Sequence, residues 1–283
     1  MNHKRIDRLI EHCLYEDIGS GDITTDHIVP LGASTRGVIH TKQSGVIAGL
    51  AVAESVFRFL STDISFKSKV SDGDKVKHGT ILAEVEGDAR AILTGERVAL
   101  NFLQRMSGIA TQTSAFVDMV KDYPVRVVDT RKTTPGLRML EKYAVLAGGG
   151  HNHRFGLYDA VMVKDNHIKV AGGIAQAIVA IRKKVSHMVK IEVEVEDLAG
   201  VAEALQAKAD VIMLDNMDIE TMKQAVAMIG ELALVEASGG INEKTIVEIA
   251  KTGVNVISLG SLTHSVQALD ISLDIGQIKM EKR

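Results

Sequence analysis

The chain has 283 residues and a formal net charge of −3, with 46% hydrophobic and only 4% aromatic residues. This length exceeds a single hydrophobic core, so we predict one large and one small domain. The scarcity of aromatic side chains and the slightly negative charge exclude a broad basic surface with stacking platforms, and so argue against a nucleic-acid-binding protein. Any anion must therefore bind in a local pocket.

Cys13 is the only cysteine, which excludes an intrachain disulfide and a thiolate metal site. The N-terminal segment carries charges throughout and has no signal-peptide pattern. The longest strongly apolar stretch, residues 45–53, is too short to span a bilayer. We expect a cytoplasmic protein without membrane contact.

Residues 20–88 form short, glycine-punctuated strand patterns, and residues 88–106 then predict a helix that links two domains. The stretch 73–85 resembles part of a lipoyl-type sandwich. Lys75 and Lys77 lie in a strand-and-turn run rather than at a displayed hairpin tip, which favours a structural role over that of a carrier.

After Pro124, short apolar runs alternate with amphipathic helical stretches, as is typical of repeated βα units. Each run ends in polar residues. The six predicted strands are Val125–Thr130, Ala160–Lys164, Ile191–Val195, Val211–Asp215, Leu234–Ser238 and Val256–Gly260. Because a parallel barrel gathers the carboxyl ends of its strands at one face, we expect an anion-binding catalytic face there.

Basic residues are concentrated between residues 131 and 164, where six lysines and arginines stand against two acids. Arginine forks suit carboxylates, whereas lysine is a point charge for phosphates, so the segment fits a ligand with both groups. A solvated helix face is the alternative, and it accounts for Arg138 and Lys142, four residues apart. It does not account for basic residues at strand ends.

The last two strands are followed by Ser238-Gly239-Gly240 and Leu259-Gly260-Ser261, where barrel enzymes often bind phosphate on backbone N–H groups. Ordinary tight turns would also use these glycines. Glu194 and Asp215 end neighbouring strands and suit Mg²⁺ shared with substrate phosphates. Salt bridges to Lys132 and Lys164 are the alternative.

The His151-x-His153 pair suggests an alternative function, that of a metal-dependent hydrolase, because such a pair on a barrel can bind a catalytic metal. Arg154 follows directly and would repel a cation. No further histidine ends a later strand.

A set of short motifs follows in a fixed order along the chain: Glu16–Thr25, Glu96-Arg97 with Asn101, Ser107–Thr111, Asp129–Thr133 with Pro135-Gly136, His153-Arg154, Lys164–His167, Glu192–Glu194, Leu214–Asn216, Ser238–Gly240 and Gly260–His264. In these motifs the chain resembles the quinolinate phosphoribosyltransferase family over nearly its whole length.

The resemblance implies a TIM-like, incomplete α/β barrel over residues 109–268 and a smaller N-terminal α+β sandwich domain over residues 1–108, joined by a C-terminal strand within 269–283. It implies a pentosyltransferase that combines quinolinate with phosphoribosyl pyrophosphate and Mg²⁺. The products would be nicotinate mononucleotide, pyrophosphate and carbon dioxide, a step of NAD biosynthesis. It also implies a homodimer, with further assembly into a hexamer left open.

The resemblance also assigns roles to particular residues. Lys132, Glu194 and Asp215 are the expected catalytic residues, and Glu194 and Asp215 are also the expected metal ligands. Arg97 is expected to reach the site of a neighbouring subunit. The expected substrate-binding residues are Arg97, Thr130, Arg131, Lys132, His153, Arg154, Lys164, Glu194, Asp215, Ser238, Gly239, Gly240, Leu259, Gly260, Ser261 and His264.

Two other classes share parts of this pattern. A paralogous group associated with molybdenum transport has the fold, but the Lys164–His167 motif disfavours it. A non-enzymatic sensor of a sugar phosphate or a dinucleotide would have no need of a carboxylate clamp beside metal-binding carboxylates.

Overall fold

A computed structural model describes residues 3–276 of the chain. The chain forms helices and mostly short strands. In chain order they are α1 (His3–Ile18), α2 (Ile23–Ile28), β1 (Ser34–Thr41), β2 (Gly45–Val46), α3 (Leu50–Leu60), β3 (Ser65–Ser68), β4 (Lys75–Val76), β5 (Ile81–Asp88), α4 (Ala89–Val120), β6 (Arg126–Val128), α5 (Arg138–Ala147) and β7 (Val161–Val163). They continue with α6 (Asp165–Ala171), α7 (Ile174–Arg182), β8 (Ile191–Val195), α8 (Leu198–Gln206), β9 (Val211–Asp215), α9 (Ile219–Ile229), β10 (Leu234–Ser238), α10 (Ile246–Ala250), β11 (Val256–Ser258), α11 (Ser261–His264) and β12 (Ile271–Ile275).

The described chain divides into two compact units that interleave in sequence. One comprises residues 3–114, 134–149 and 265–276, and the other comprises residues 115–133 and 150–264. The division at residue 108 stays a prediction, but the segment 134–149, which contains α5, belongs to the first unit rather than to the barrel.

The first unit is built on an antiparallel sheet with the strand order β12-β1-β5-β3. Its buried side chains include Ile39, Leu82 and Val85. The strand β12 pairs with β1, and the buried His40 ring lies 2.9 Å from Asp274 of β12. The C-terminal strand therefore joins this sheet as predicted through Ile275, while residues 277–283 lie outside the described residues.

The lysines considered as carrier sites lie in this unit. Lys75 is in β4, which pairs with β2 rather than with β5. Lys77 opens the turn that follows β4. The helix predicted over residues 88–106 extends much further, to Val120, and Asp88 accepts a hydrogen bond from the N–H of Ala91 at its start.

The second unit is a six-stranded parallel sheet with the order β6-β11-β10-β9-β8-β7. All six predicted strands are present, and β8, β9 and β10 have the predicted bounds. No pairing joins β6 to β7 within residues 3–276, so the barrel is incomplete. The predicted fold, an incomplete α/β barrel with a smaller N-terminal α+β domain, is confirmed.

The barrel strands are buried on both faces, as expected when helices cover a parallel sheet. Val193, Ile212 and Ala237 have no exposed surface. The following helices begin at short acidic caps: Asp197 accepts from the N–H of Gly200, and Asp218 from the N–H of Thr221. In the described part of the chain no helix is both long and apolar enough to cross a membrane.

Candidate active site

A cavity of about 750 Å³ opens at the carboxyl ends of the barrel strands. Every predicted substrate-binding residue except Arg97 lines it. These residues are Thr130, Arg131, Lys132, His153, Arg154, Lys164, Glu194, Asp215, Ser238, Gly239, Gly240, Leu259, Gly260, Ser261 and His264. The strand ends therefore converge as the sequence pattern indicated.

The alternation of side chains along each strand also brings a second residue from several strands to the same cavity. Met213 lies two residues before Asp215, Glu236 two before Ser238, and Met162 two before Lys164; all three line the cavity. The strands are in register, with Asp215 opposite Ser238 and Met213 opposite Glu236. The cavity thus extends inward from its polar rim.

One wall of the rim carries the two predicted metal ligands. Glu194 is the last residue but one of β8 and accepts a hydrogen bond from the ammonium of Lys164 at 2.8 Å. Asp215 ends β9 and accepts from the side-chain amide of Asn216 at 2.9 Å. The salt bridge considered between a carboxylate and Lys164 therefore exists, whereas Lys132 forms no ion pair with a carboxylate within residues 3–276.

Lys132 is held at its backbone instead. Its N–H donates to Thr130 Oγ1 at 3.0 Å, and its carbonyl accepts from Thr263 Oγ1 at 2.8 Å. A Cβ on Gly260 would lie 2.9 Å from Lys132 Cδ, so glycine makes room for the lysine stem. The exposed ammonium is therefore available to an anion.

Two arginines, Arg131 and Arg154, also line the cavity. Arg154 donates to the carbonyl of Ala160 at 3.3 Å and contacts Met162. Burial, and then the positive charge of Arg131, lower the pKa of Arg154. Two cations brought this close in a half-buried site favour an anionic ligand that would relieve their repulsion.

His153 has both ring nitrogens engaged by the protein. Nδ1 accepts from the Arg154 backbone N–H at 2.7 Å, which leaves Nε2 as the donor of the neutral ring. Nε2 lies 3.1 Å from Glu192 Oε2 and 3.5 Å from Glu236 Oε2. The backbone N–H of His153 donates to the fully buried Asp129.

Glu192 and Glu236 are buried beneath this histidine, with only 7% and 3% of their surface exposed. Burial, and then the neighbouring Glu192, raise the pKa of Glu236 to about 7. Like charges in a desolvated site share a proton rather than ionise together. Among the described residues, Glu192, Glu236 and His153 also form a group that could bind a metal ion, because one potential ligand atom from each lies within 4.8 Å of the other two. His151, the other half of the H-x-H motif, is exposed and outside this group.

Glycine turns form the remaining wall. Gly239 and Gly240 have φ values of +94° and +62°, which favour glycine over residues with a Cβ. After β11, Gly260 leads into Ser261, whose Oγ is buried and has no hydrogen-bond partner among the described residues. A buried hydroxyl of this kind is suited to a ligand oxygen.

Arg97 lines a different cavity, within the first unit. Its neighbours there include Asp17, Asp22 and Thr94. Asp22 accepts from the Thr25 N–H and from the Thr94 hydroxyl, and hydrogen bonds from Thr25 lower the pKa of Asp22. Ile23 is 77% exposed beside this cavity.

One interpretation within the basic segment needs correction. Lys142 was assigned to a solvated helix face, but it is fully buried in α5. The reason is that α5 packs within the first unit, where Glu141 is buried too, so its polar pattern does not face solvent. The sequence interpretation also missed Glu192, Glu236 and Asn216 as parts of the site. An acid inside the apolar run Leu234–Ser238 was the available signal.

A parallel α/β barrel that gathers arginines, lysines and carboxylates around one cavity defines an enzyme for a multiply anionic substrate. Family models of the quinolinate phosphoribosyl transferase N-terminal and C-terminal domains match residues 22–107 and 109–274. The chain belongs to the quinolinate phosphoribosyltransferase family.

The chain is also similar to individual proteins with names of this family. The probable nicotinate-nucleotide pyrophosphorylase (carboxylating) of Bacillus subtilis (strain 168) is 47% identical over 275 residues, which cover 97% of this chain and 95% of that protein. Quinolinate phosphoribosyltransferase (decarboxylating) 1b of Nicotiana tabacum is 43% identical, over 94% of this chain and 81% of its own. The solved nicotinate-nucleotide pyrophosphorylase of Francisella tularensis superposes with a TM-score of 0.94 at 40% identity, covering 98% of each chain.

Proposed function

We propose that the chain transfers phosphoribosyl from phosphoribosyl pyrophosphate to the ring nitrogen of quinolinate and releases carbon dioxide and pyrophosphate. The product is nicotinate mononucleotide, a precursor of NAD. The observation that carries this proposal is the meeting of an arginine pair, a lysine–carboxylate pair and two glycine turns in one cavity. This set matches a dicarboxylate beside a sugar carrying phosphates, and family membership supports the same chemistry.

Arg131 and Arg154 are the proposed clamp for the quinolinate carboxylates. Their forks suit bidentate binding, and their mutual repulsion gives the empty clamp a preference for anions. Nδ1 of His153 accepts a hydrogen bond from the backbone N–H of Arg154. We therefore propose that His153 positions this clamp in addition to lining the cavity.

Glu194 and Asp215 are the proposed holders of the ribose hydroxyls and of Mg²⁺. Two carboxylates at adjacent strand ends, open to a cavity that would contain phosphate oxygens, are a donor set that suits this ion. Bound there, Mg²⁺ would neutralise charge on the pyrophosphate leaving group. Lys132 and Lys164 supply further positive charge, and Gly239, Gly240, Gly260, Ser261 and His264 border the proposed phosphate positions.

The chemistry asks the protein mainly to position its substrates and to neutralise charge. The pyridine nitrogen already has a lone pair, so no side-chain nucleophile is needed. Once this nitrogen is ribosylated, the bond between the ring and the adjacent carboxylate breaks and carbon dioxide leaves. The electron pair stays on the ring carbon, where the cationic nitrogen stabilises it until that carbon takes a proton from solvent. The arginines hold the ring in place for both steps.

A homodimer in which Arg97 enters the neighbouring subunit's active site also remains a proposal. It is supported by the position of Arg97 in a cavity of the first unit and by the exposed apolar side chains of Ile23, Ile28 and Leu31. Assembly into a hexamer stays a prediction. So does the cytoplasmic location predicted from the single cysteine.

The test is to incubate the purified protein with quinolinate, phosphoribosyl pyrophosphate and Mg²⁺ and to follow nicotinate mononucleotide and carbon dioxide together. We expect equal amounts of both, and none from nicotinate as the control substrate. A folded, metal-supplied protein that produces neither would contradict the proposal and leave a phosphate sensor as the better interpretation.

A further inference from the structure

Asn216 has an unusual backbone at the carboxyl end of β9. Its φ of +54° is left-handed, and Lys208 is the only other described residue besides glycines with a positive φ. This conformation costs on the order of 1 kcal/mol for residues with a Cβ, although asparagine tolerates it better than most. Such strain is retained where the surrounding contacts require it.

The contacts of Asn216 connect two walls of the cavity. Its backbone N–H donates to the carbonyl of Ser238 at 3.0 Å. Its side-chain amide donates to Asp215 Oδ2 at 2.9 Å. Its Oδ1 atom occupies the space that a Cβ on Gly239 would need. One side chain thus touches both the carboxylate of β9 and the glycine turn after β10.

The orientation of the amide follows from its partners. A flipped amide would direct its oxygen at the Asp215 carboxylate, where two acceptors would face each other without a proton. Only the NH₂ group can therefore face Asp215. The hydrogen bond engages one of the two carboxylate oxygens and so limits rotation of the carboxylate.

We propose that Asn216 is a positioning residue that fixes the Asp215 carboxylate relative to the Ser238-Gly239-Gly240 turn. This inference rests on the proposed function, in which Asp215 meets the ribose and Mg²⁺ and the turn borders the phosphate. Both groups belong to the same substrate, so their separation must match that substrate. Quinolinate binding at the arginine clamp does not depend on Asn216.

The test variant is Asn216→Gly, which keeps the left-handed backbone but removes the amide. We expect unchanged folding, a KM for phosphoribosyl pyrophosphate raised by roughly tenfold as expected for losing a hydrogen bond to a charged group, and a KM for quinolinate within about twofold of the unmodified enzyme. Asn216→Asp retains the shape and tolerates the backbone, but it places a second carboxylate beside Asp215. It should weaken phosphoribosyl pyrophosphate binding at least as much.

Lys208→Gly is the matched control, because it relaxes the same backbone conformation at an exposed position outside the cavity. It should leave both KM values unchanged. Calorimetric titration of phosphoribosyl pyrophosphate with Mg²⁺, without quinolinate, gives a readout independent of turnover, and Asn216→Gly should bind more weakly there as well.

The outcomes separate this inference from the proposed function. If the unmodified protein turns over quinolinate but Asn216→Gly or Asn216→Asp matches it in both measurements, the positioning role is wrong and the proposed function stands. Equal increases in both KM values would also overturn it, because they indicate general damage to the cavity. If the unmodified protein neither binds phosphoribosyl pyrophosphate nor turns over quinolinate, both ideas fail.

Discussion

At the scale of single residues, the site depends on two buried acids, Glu192 and Glu236, which lie beneath its rim. Glu192 and Glu236 both approach Nε2 of His153, which has one proton to donate. One proton cannot satisfy two buried carboxylates, so a second proton on Glu236 is the physical solution. This agrees with a Glu236 pKa raised to about 7 by burial and by Glu192. The arginine clamp therefore rests on His153, whose two buried acid partners have a total charge that depends on pH.

The first prediction concerns the pH dependence of stability. From the ordinary value of 4.5 up to about 7, the folded protein keeps a proton on Glu236 that the unfolded chain has released. Stability therefore falls as pH rises through this window, by up to roughly 1.4 kcal/mol per pH unit for one group. Glu236→Gln, which mimics the protonated acid, should remove this part of the slope.

Urea denaturation from about pH 5 to about pH 8 measures this effect as a difference between the unmodified protein and Glu236→Gln. Glu248→Gln is the matched control, since Glu248 is exposed on α10 and should leave the slope unchanged. Equal slopes for the unmodified protein and Glu236→Gln would show that Glu236 is ionised in the folded state.

The second prediction concerns Gly239. Its Cβ in Gly239→Ala would overlap Asn216 Oδ1, and its φ of +94° would be strained as well. In the Asn216→Gly background only the backbone strain remains, so the substitution should cost less there. A double-mutant cycle in urea should give a coupling of roughly 1 kcal/mol or more, whereas additive effects would contradict the contact.

At the scale of elements, the sequence predicted strands and their ends better than their interiors. The apolar runs located all six barrel strands, and the polar residue after each run located the cavity rim. Glu236 was missed because it lies inside such a run, where burial normally excludes an acid. Reading each strand in steps of two from its polar end would have included it, because alternate side chains share a face.

The course of α5 could not be predicted from local pattern. A βα rhythm favours a barrel helix after β6, but α5 belongs to the first unit. A long-range contact explains this: Glu141 of α5 accepts from Arg105 of α4 at 2.9 and 2.6 Å and from the Thr134 N–H at 3.1 Å. Nothing in the spacing of residues 134–149 indicates a partner so distant in sequence.

The third prediction concerns the ion pair between Arg105 and Glu141. Arg105→Met leaves the Glu141 carboxylate buried at 1% exposure without its guanidinium, which should lower the free energy of unfolding by on the order of 3 kcal/mol. Arg58→Met, which removes the exposed pair with Glu54 on α3, is the control and should change it by less than about 1 kcal/mol. Similar small effects in urea denaturation would mean that the buried pair does not hold α5.

At the scale of the whole molecule, the residues expected for one active site are divided between the two units. The barrel unit carries the clamp, the carboxylates and the glycine turns, whereas Arg97 lines a cavity of the first unit. The cavity gathers lysines and arginines although the net charge of the chain is −3. Composition alone therefore argued against a polyanion-binding protein but could not locate the anion site. If the proposed dimer forms, each active site needs both subunits.

The fourth prediction follows from this division. Arg97→Ala and Lys132→Ala should each be nearly inactive alone, because each homodimer would lack one residue at both sites. After the two variants are unfolded together and refolded, about half of the dimers should be mixed, and each mixed dimer should have one intact site, giving roughly a quarter of the unmodified activity. Mixing Glu194→Gln with Lys132→Ala is the control, since both residues line the barrel cavity and no intact site can form. Recovery only in the first mixture would support Arg97 acting across the interface, and its absence while size-exclusion chromatography shows dimers would place Arg97 outside the neighbouring site.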